Sequence, residues 1–277
     1  MFNKCNYKKI VSKVLAAMLT LTTFSSASKC QSIPEAEAME LAKLVYERAQ
    51  AVWEQAEKEA KEKGITLTCK NCRDVEAIMD QYCPFNSDVP KIVDHATFEE
   101  LKTNKMVLYR GFAAPSEDLA NQWSINTKTG IYKQGEEHNG LFCSIYKKQS
   151  DCPEGGSPLD MAAESYTDSA PHKRISTFFC DPEKAQIGHG IYQIVEAYEE
   201  MCNYSKKVGN SRMALTDSEL GSLTDRDRFL YLITFGCPAT KYFAQLLGYD
   251  AIESNDWQYQ IFNPGILTFN EQDEIIE

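Results

Sequence analysis

Apolar residues recur at helical spacing over residues 34–63, which predicts a long amphipathic helix near the start of the chain. The apolar positions that share one face include Leu41, Leu44, Val45, Val52 and Trp53. Pro34 suits a first helical turn, and Gly64 follows the last helical position. We therefore expect one helix over these residues, packed along its apolar stripe.

Short β-prone runs alternate with helical stretches along the rest of the chain. The predicted strands are 106–110, 141–146, 174–180, 190–197, 249–253 and 258–262. The predicted helices are 74–81, 97–102, 116–123, a segment that begins at Asp181-Pro182, and 225–247 with a break at 236–238. Residues 199–224 are polar and are expected to form a loop. This mixture predicts an α+β fold with a mostly antiparallel or mixed sheet.

Residues 1–27 have the pattern of a secretory signal peptide. Four lysines precede a short apolar stretch over 14–24, and the small residues 25–27 follow it. We expect export, to a secreted or periplasmic location. A poorly inserted membrane anchor and a lipoprotein modified at Cys30 are the alternatives. No other apolar run approaches the roughly 20 residues that a membrane helix needs, so the mature chain is expected to have no membrane span.

The charge balance argues against nucleic acid as a partner. The chain has 40 acidic and 29 basic side chains, which gives a formal net charge of −11. Phosphate backbones are bound by clustered lysines and arginines, and the sequence shows no such cluster. An anionic membrane surface is disfavoured for the same reason.

Ten cysteines are a large number for an intracellular protein. Because export exposes thiols to oxidants, we expect disulfide bonds. Cys69 and Cys72 have the spacing of a structural disulfide, a redox pair or half of a zinc site. Cys143 and Cys152 are the candidates for a local pairing. A second pair at zinc spacing is missing, so no metal is expected.

Three separated segments carry the residues best suited to binding an anionic nucleotide. An apolar strand delivers Arg110 into a turn at Tyr109-Arg110-Gly111. The forked guanidinium of arginine matches phosphate oxygens. Ser176 and Thr177 bring two hydroxyls onto a β-prone run, where they can orient a ribose or a neighbouring side chain.

Taken in this order, the three segments resemble the ADP-ribosyltransferase superfamily, in the branch with an arginine strand, a Ser-Thr-Ser strand and a late strand bearing glutamate. Tyr109-Arg110-Gly111 is similar to the arginine motif. Ser176-Thr177-Phe178 is similar to the Ser-Thr-Ser strand, with its third residue changed. Residues 247–252 and 259–264 are similar to the closing strands of several bacterial and phage members. The resemblance extends over residues 95–270.

The resemblance implies an ADP-ribosyltransferase-like split β-sheet core with peripheral helices and NAD, as substrate, in a cleft. Arg110, Gly111, Ser176, Thr177 and Phe178 would bind NAD. The implied reaction transfers ADP-ribose to a protein acceptor and releases nicotinamide, as in toxins and effectors. The expected organisation is a signal peptide over 1–27, a helical extension with a cysteine-rich connector over 28–94, and the transferase-like domain over 95–277.

The late carboxylate is where the sequence departs from the family pattern. At the aligned position stands Gln258, and an amide supplies no negative charge to the cation that grows on the sugar. Glu253 and Asp256 are the neighbouring carboxylates, so the catalytic candidates are Glu253, Asp256 and Gln258. The altered position also supports a catalytically inactive exported binding module on the same scaffold.

Two further interpretations remain open. One is a cysteine nucleophile, Cys143 or Cys180, with His172 or His189 as its base. The other is an unrelated exported structural protein. A glycine loop followed by Lys-Ser or Lys-Thr, which would cradle nucleotide phosphates, does not occur in the sequence.

Overall fold

The computed structural model describes residues 32–85, 88–130, 140–146, 170–181, 183–204, 206–208, 211–235, 239–255 and 258–276. Over these ranges the chain forms eight α-helices, a nine-stranded mixed sheet and a separate two-stranded sheet. The predicted α+β class is confirmed. The predicted signal peptide lies outside the described residues.

The helices begin and end mostly where the sequence signals place them. They are α1 Glu35–Glu62, α2 Cys72–Tyr82, α3 His95–Leu101, α4 Glu117–Lys128, α5 Ile191–Cys202, α6 Asp217–Ser222, α7 Asp225–Leu232 and α8 Ala239–Leu247. Side-chain oxygens of Asn71, Asp94 and Ser116 accept backbone N–H bonds at the starts of α2, α3 and α4. Such N-caps satisfy donors that the first helical turn leaves unpaired.

The strands are β1 Lys91–Val93, β2 Met106–Ala114, β3 Leu141–Ser144, β4 His172–Cys180, β5 Ile187–Gly188, β6 Lys206–Val208, β7 Ser211–Met213, β8 Ala251–Asn255, β9 Gln258–Ile261, β10 Leu267–Asn270 and β11 Glu274–Ile276. The large sheet has the order β1-β10-β4-β2-β3-β9-β8-β5, and β11 also pairs with β4. The arginine strand β2 and the Ser-Thr strand β4 are therefore antiparallel neighbours.

The long N-terminal helix is part of the largest core. The buried side chains of α1, among them Val45 and Trp53, pack with α2, α5, α7 and α8. Ile252 of β8 and Phe262, just after β9, join this core from the sheet. Trp53 lies against Phe229, with ring centroids 5.4 Å apart. Helix α1 thus contributes to the same packed body as the sheet.

Two smaller cores lie elsewhere on the sheet. One contains Leu108, Phe178 and Phe269 together with apolar residues from β3, β8 and β9. The other consists of Phe112 and Ala114 of β2 with Ala120 of α4, flanked by half-buried Leu119 and Trp123. The second core places α4 over the end of β2.

Three predicted elements are wrong. Residues 190–197 form the start of α5 instead of a strand, because Ile191, Ile194 and Ala197 are buried at helical spacing. Gly190, at φ 63°, provides the left-handed start that this helix needs. No helix follows Asp181, whose backbone carbonyl closes a turn at Lys184 and Ala185 before β5.

Residues 199–224, predicted as a loop, instead carry the end of α5, the β6–β7 hairpin and α6. Thr216 and Glu219 form a capping box at the start of α6, which is the local signal that the prediction missed.

Cys72 is disulfide-bonded, but the expected disulfides at Cys69 and Cys143 are not formed. Cys69 and Cys143 are buried free thiols, and Cys83, Cys180 and Cys202 are free as well. Burial raises the pKa of Cys83 to about 11 and that of Cys69, Cys180 and Cys202 to about 12.

Within the described ranges, none of the helices combines the length and apolarity that crossing a bilayer requires.

Candidate functional site

Arg110, Ser176 and Asp273 lie in one row across three neighbouring strands or their ends. Arg110 of β2 is the register partner of Ser176 on β4. Glu274 of β11 is registered with Ile175, which puts Asp273 beside Ser176. Directly opposite residues of antiparallel strands point to the same face of a sheet. The guanidinium, the hydroxyl and the carboxylate therefore share one face.

Asp273 is the most densely hydrogen-bonded side chain of this row. Its Oδ1 accepts from Ser176 Oγ at 2.8 Å and lies 2.8 Å from the ammonium of Lys128. Its Oδ2 accepts from Ser124 Oγ. Lys128 also donates to the backbone carbonyl of Glu271 at 2.7 Å. Three donors, two from α4 and one from β4, thus meet at one carboxylate in the β10–β11 turn.

This cluster is almost completely closed to solvent. The side chains of Lys128 and Asp273 are 8% and 5% exposed, and Ser176 is fully buried. A buried carboxylate is tolerated only when it is paired and hydrogen-bonded, and Lys128 supplies the compensating charge. A carboxylate has about four acceptor positions, so the three donors leave one of them on Oδ2.

Arg110 borders an open cleft. The cleft is lined by Tyr109, Arg110, Gly111, Phe142, Cys143, Ser144 and Gln258, and its volume is about 30 Å³. Nη1 of Arg110 donates to the carbonyl of Phe142 at 3.0 Å, which holds the guanidinium against β3. A space of this size takes one water molecule. Residues 131–139 and 147–169, which flank β3 in sequence, are outside the described part of the chain.

Of the other predicted NAD-binding residues, Gly111 lines the cleft, whereas Thr177 and Phe178 do not. Thr177 is registered with Tyr109 and is half-buried on the face opposite Ser176. Phe178 is fully buried and packs against Phe269 at a centroid distance of 4.6 Å. Its contacts are those of a core residue.

Glu253 is separated from Arg110 by two strands. It lies on β8, while β3 and β9 intervene. Its carboxylate is buried, with Nδ1 of His189 at 2.6 Å from Oε2 and the hydroxyl of Tyr259 at 3.5 Å from Oε1. Burial, reinforced by the Glu253 charge, raises the pKa of Tyr259. Glu253 therefore belongs to a separate cluster with His189 and Tyr259.

Gln258 is the one late-strand candidate that shares the cleft with Arg110. Its register partner is Ser144 of β3, whose other partner is Tyr109. Asp256 lies outside the described residues. Of the two candidates that the structure describes, Gln258 lies next to the arginine and Glu253 does not.

The cysteine nucleophile finds little support in the geometry. Burial raises the pKa of both Cys143 and Cys180, so neither thiol ionises readily near neutral pH. His189 is engaged by Glu253 instead.

Sequence reasoning missed Asp273, Ser124 and Lys128. The available signal was the run Asp273-Glu274-Ile275-Ile276, in which two β-branched residues follow acidic ones near the end of the chain. Ser124 and Lys128 are four residues apart and so share one face of α4. Only the fold shows that this face lies over Asp273.

Comparison with protein-family models, curated proteins and solved structures finds no match to this chain. Among the residues that the structure describes, no group of three or more His, Cys, Asp or Glu side chains is arranged to hold a metal ion.

Proposed function

We propose that this protein is an exported mono-ADP-ribosyltransferase-like protein that binds NAD and transfers ADP-ribose to a protein acceptor, releasing nicotinamide. The observation that carries the proposal is the row formed by Arg110, Ser176 and Asp273 on one face of the sheet. It unites a permanent cation, a hydroxyl and a carboxylate, the groups that the family resemblance implies.

Each residue has a chemical role in this proposal. Arg110 binds a phosphate of NAD through its forked guanidinium. Asp273 stabilises the positive charge that develops on the ribose as the bond to nicotinamide breaks. Ser176 donates to Asp273 at 2.8 Å and so fixes the orientation of that carboxylate. In this proposal Asp273 is therefore the catalytic carboxylate, the role for which the sequence offered Glu253, Asp256 and Gln258.

The secreted or periplasmic location in this proposal depends on residues 1–27. A toxin or effector role fits export together with a protein acceptor. The net charge of −11 disfavours nucleic acid as the acceptor.

A catalytically inactive NAD-binding or protein-binding module is the second candidate. Two observations favour it. The ammonium of Lys128 compensates the charge of Asp273 at 2.8 Å, and Gln258, an amide, borders the cleft of Arg110. Binding without turnover would distinguish this module from an enzyme.

Calorimetric titration with NAD⁺ tests the proposal. We expect the wild-type protein to bind NAD⁺ and Arg110→Met to bind it roughly tenfold to a hundredfold more weakly, because a charge-assisted phosphate contact is lost. Arg73→Met removes an exposed arginine of α2 and is the matched control. Equal affinities of the wild-type protein and the Arg110 variant would refute the proposal.

A further inference from the structure

We propose that α4 is a lid that closes the Asp273 site and that Lys128 and Ser124 are its lock. The inference deepens the proposed function and depends on it. In the closed state, side chains of α4 bind the Asp273 carboxylate, which the ribose of a bound NAD would have to approach.

Side chains of α4 already occupy the Asp273 carboxylate. Lys128 and Ser124, both on α4, provide two of the three donors to Asp273. With Ser176 as the third, the carboxylate is 5% exposed. A ribose hydroxyl can reach Asp273 only if these α4 side chains move away.

The charge of Lys128 opposes the binding of a second cation at Asp273. The ammonium of Lys128 stands 2.8 Å from Asp273, where a cationic ribose would also be attracted. Two cations compete for one carboxylate, so Lys128 acts as an internal competitor of the substrate. Removing the lysine charge should therefore favour a bound cation at this position.

Apolar packing holds α4 through one small cluster. Only Ala120 of α4 is buried in it, against Phe112 and Ala114 of β2, while Leu119 and Trp123 are half-buried at its edge. Near its start, Glu117 pairs with Arg174 at 3.4 Å, but the Glu117 side chain is 67% exposed, where ion pairs contribute little. Elements with few buried apolar contacts open at a low free-energy cost. The contacts of Lys128 and Ser124 with Asp273 are therefore the main interactions that hold α4 in place.

Helix α4 and Asp273 thus form a two-state site. In the closed state α4 covers Asp273, and NAD binds only to the open state. When a protein is competent to bind for only a fraction of the time, its apparent affinity falls by that fraction. Weakening the lock should raise the open fraction and tighten NAD binding.

The test combines hydrogen exchange of α4 with NAD⁺ titration. Lys128→Gln removes the ammonium, and Ser124→Ala removes a single hydroxyl and is the milder variant if Lys128→Gln does not fold. Lys102→Gln is the control, because Lys102 makes only an exposed pair with Glu99. We expect faster exchange in α4 and about tenfold tighter NAD⁺ binding in the Lys128 variant, with a smaller shift of the same sign for Ser124→Ala.

The outcomes separate this inference from the proposed function. Unchanged exchange of α4, or unchanged or weaker NAD⁺ binding in folded lock variants of a wild type that binds NAD⁺, overturns the lid alone. Faster exchange with no NAD⁺ binding by any variant overturns the proposed function and, with it, the role of α4 as an NAD lid.

Discussion

Helices α1 and α4 both pack on this molecule, but by different kinds of contact. Helix α1 buries six side chains in the large apolar core, including Val45 and Trp53. Helix α4 buries Ala120 in a small cluster and reaches Asp273 through Ser124 and Lys128. Apolar burial is strong but non-directional, whereas a buried polar cluster is specific and is lost when one partner leaves. Helix α1 is thus held by extensive apolar burial, whereas α4 is held by a small apolar cluster and a buried polar one.

The largest expected effect is on the α1 side. Trp53→Ala should lower the free energy of unfolding by about 4 kcal/mol, because it removes a buried ring that packs on Phe229. Urea denaturation followed by circular dichroism measures the loss. Ile65→Ala, at an exposed site just beyond α1, should change the stability by less than about 0.5 kcal/mol. Similar losses for the two variants would contradict the account of the large core.

On the α4 side, Lys128→Met should cost about 3 kcal/mol, because it leaves the buried Asp273 carboxylate without its cation. The double variant Lys128→Met/Asp273→Leu should recover most of that loss, since apolar side chains replace both charges. The same urea titration gives the coupling free energy. Additive losses in the double variant would mean that the two charges do not interact, against the structure.

The sequence predicted the α1 region well and the α4 site poorly. Helix α1 can be predicted from its local sequence, because its apolar residues recur at helical spacing over many turns. Helix α5 was mistaken for a strand because its apolar run, Ile191 to Val195, is too short to show its period.

The Asp273 cluster depends on contacts between distant parts of the chain. Asp273 bonds to Ser176 across 97 residues and to Ser124 across 149. Contacts over such separations cannot be predicted from the pattern of residues within a short stretch of sequence. Arg110 and Ser176 were found because each stands in a recognisable strand, and their pairing confirms that the two strands are neighbours.

The smallest expected effect is the low reactivity of the free thiols of Cys69, Cys83 and Cys180. Because their pKa values are raised to about 11 for Cys83 and about 12 for Cys69 and Cys180, only about one thiol in a thousand or fewer is ionised at pH 8. We expect negligible alkylation of these residues by iodoacetamide in the folded protein and rapid alkylation in urea, measured by peptide mass spectrometry. Fast labelling of Cys180 in the folded protein would show that the reagent reaches the core of the sheet, against the burial of this thiol.

The most direct test of the central claim is the release of nicotinamide from NAD⁺, measured by chromatography for the wild type, Asp273→Asn and Glu253→Gln. Both substitutions exchange a carboxylate for an amide of nearly equal size. If Arg110, Ser176 and Asp273 form the reacting row, the wild type releases nicotinamide, Asp273→Asn loses at least about a hundredfold in rate, and Glu253→Gln keeps most of it. Loss of activity in Glu253→Gln with full activity in Asp273→Asn would contradict the account.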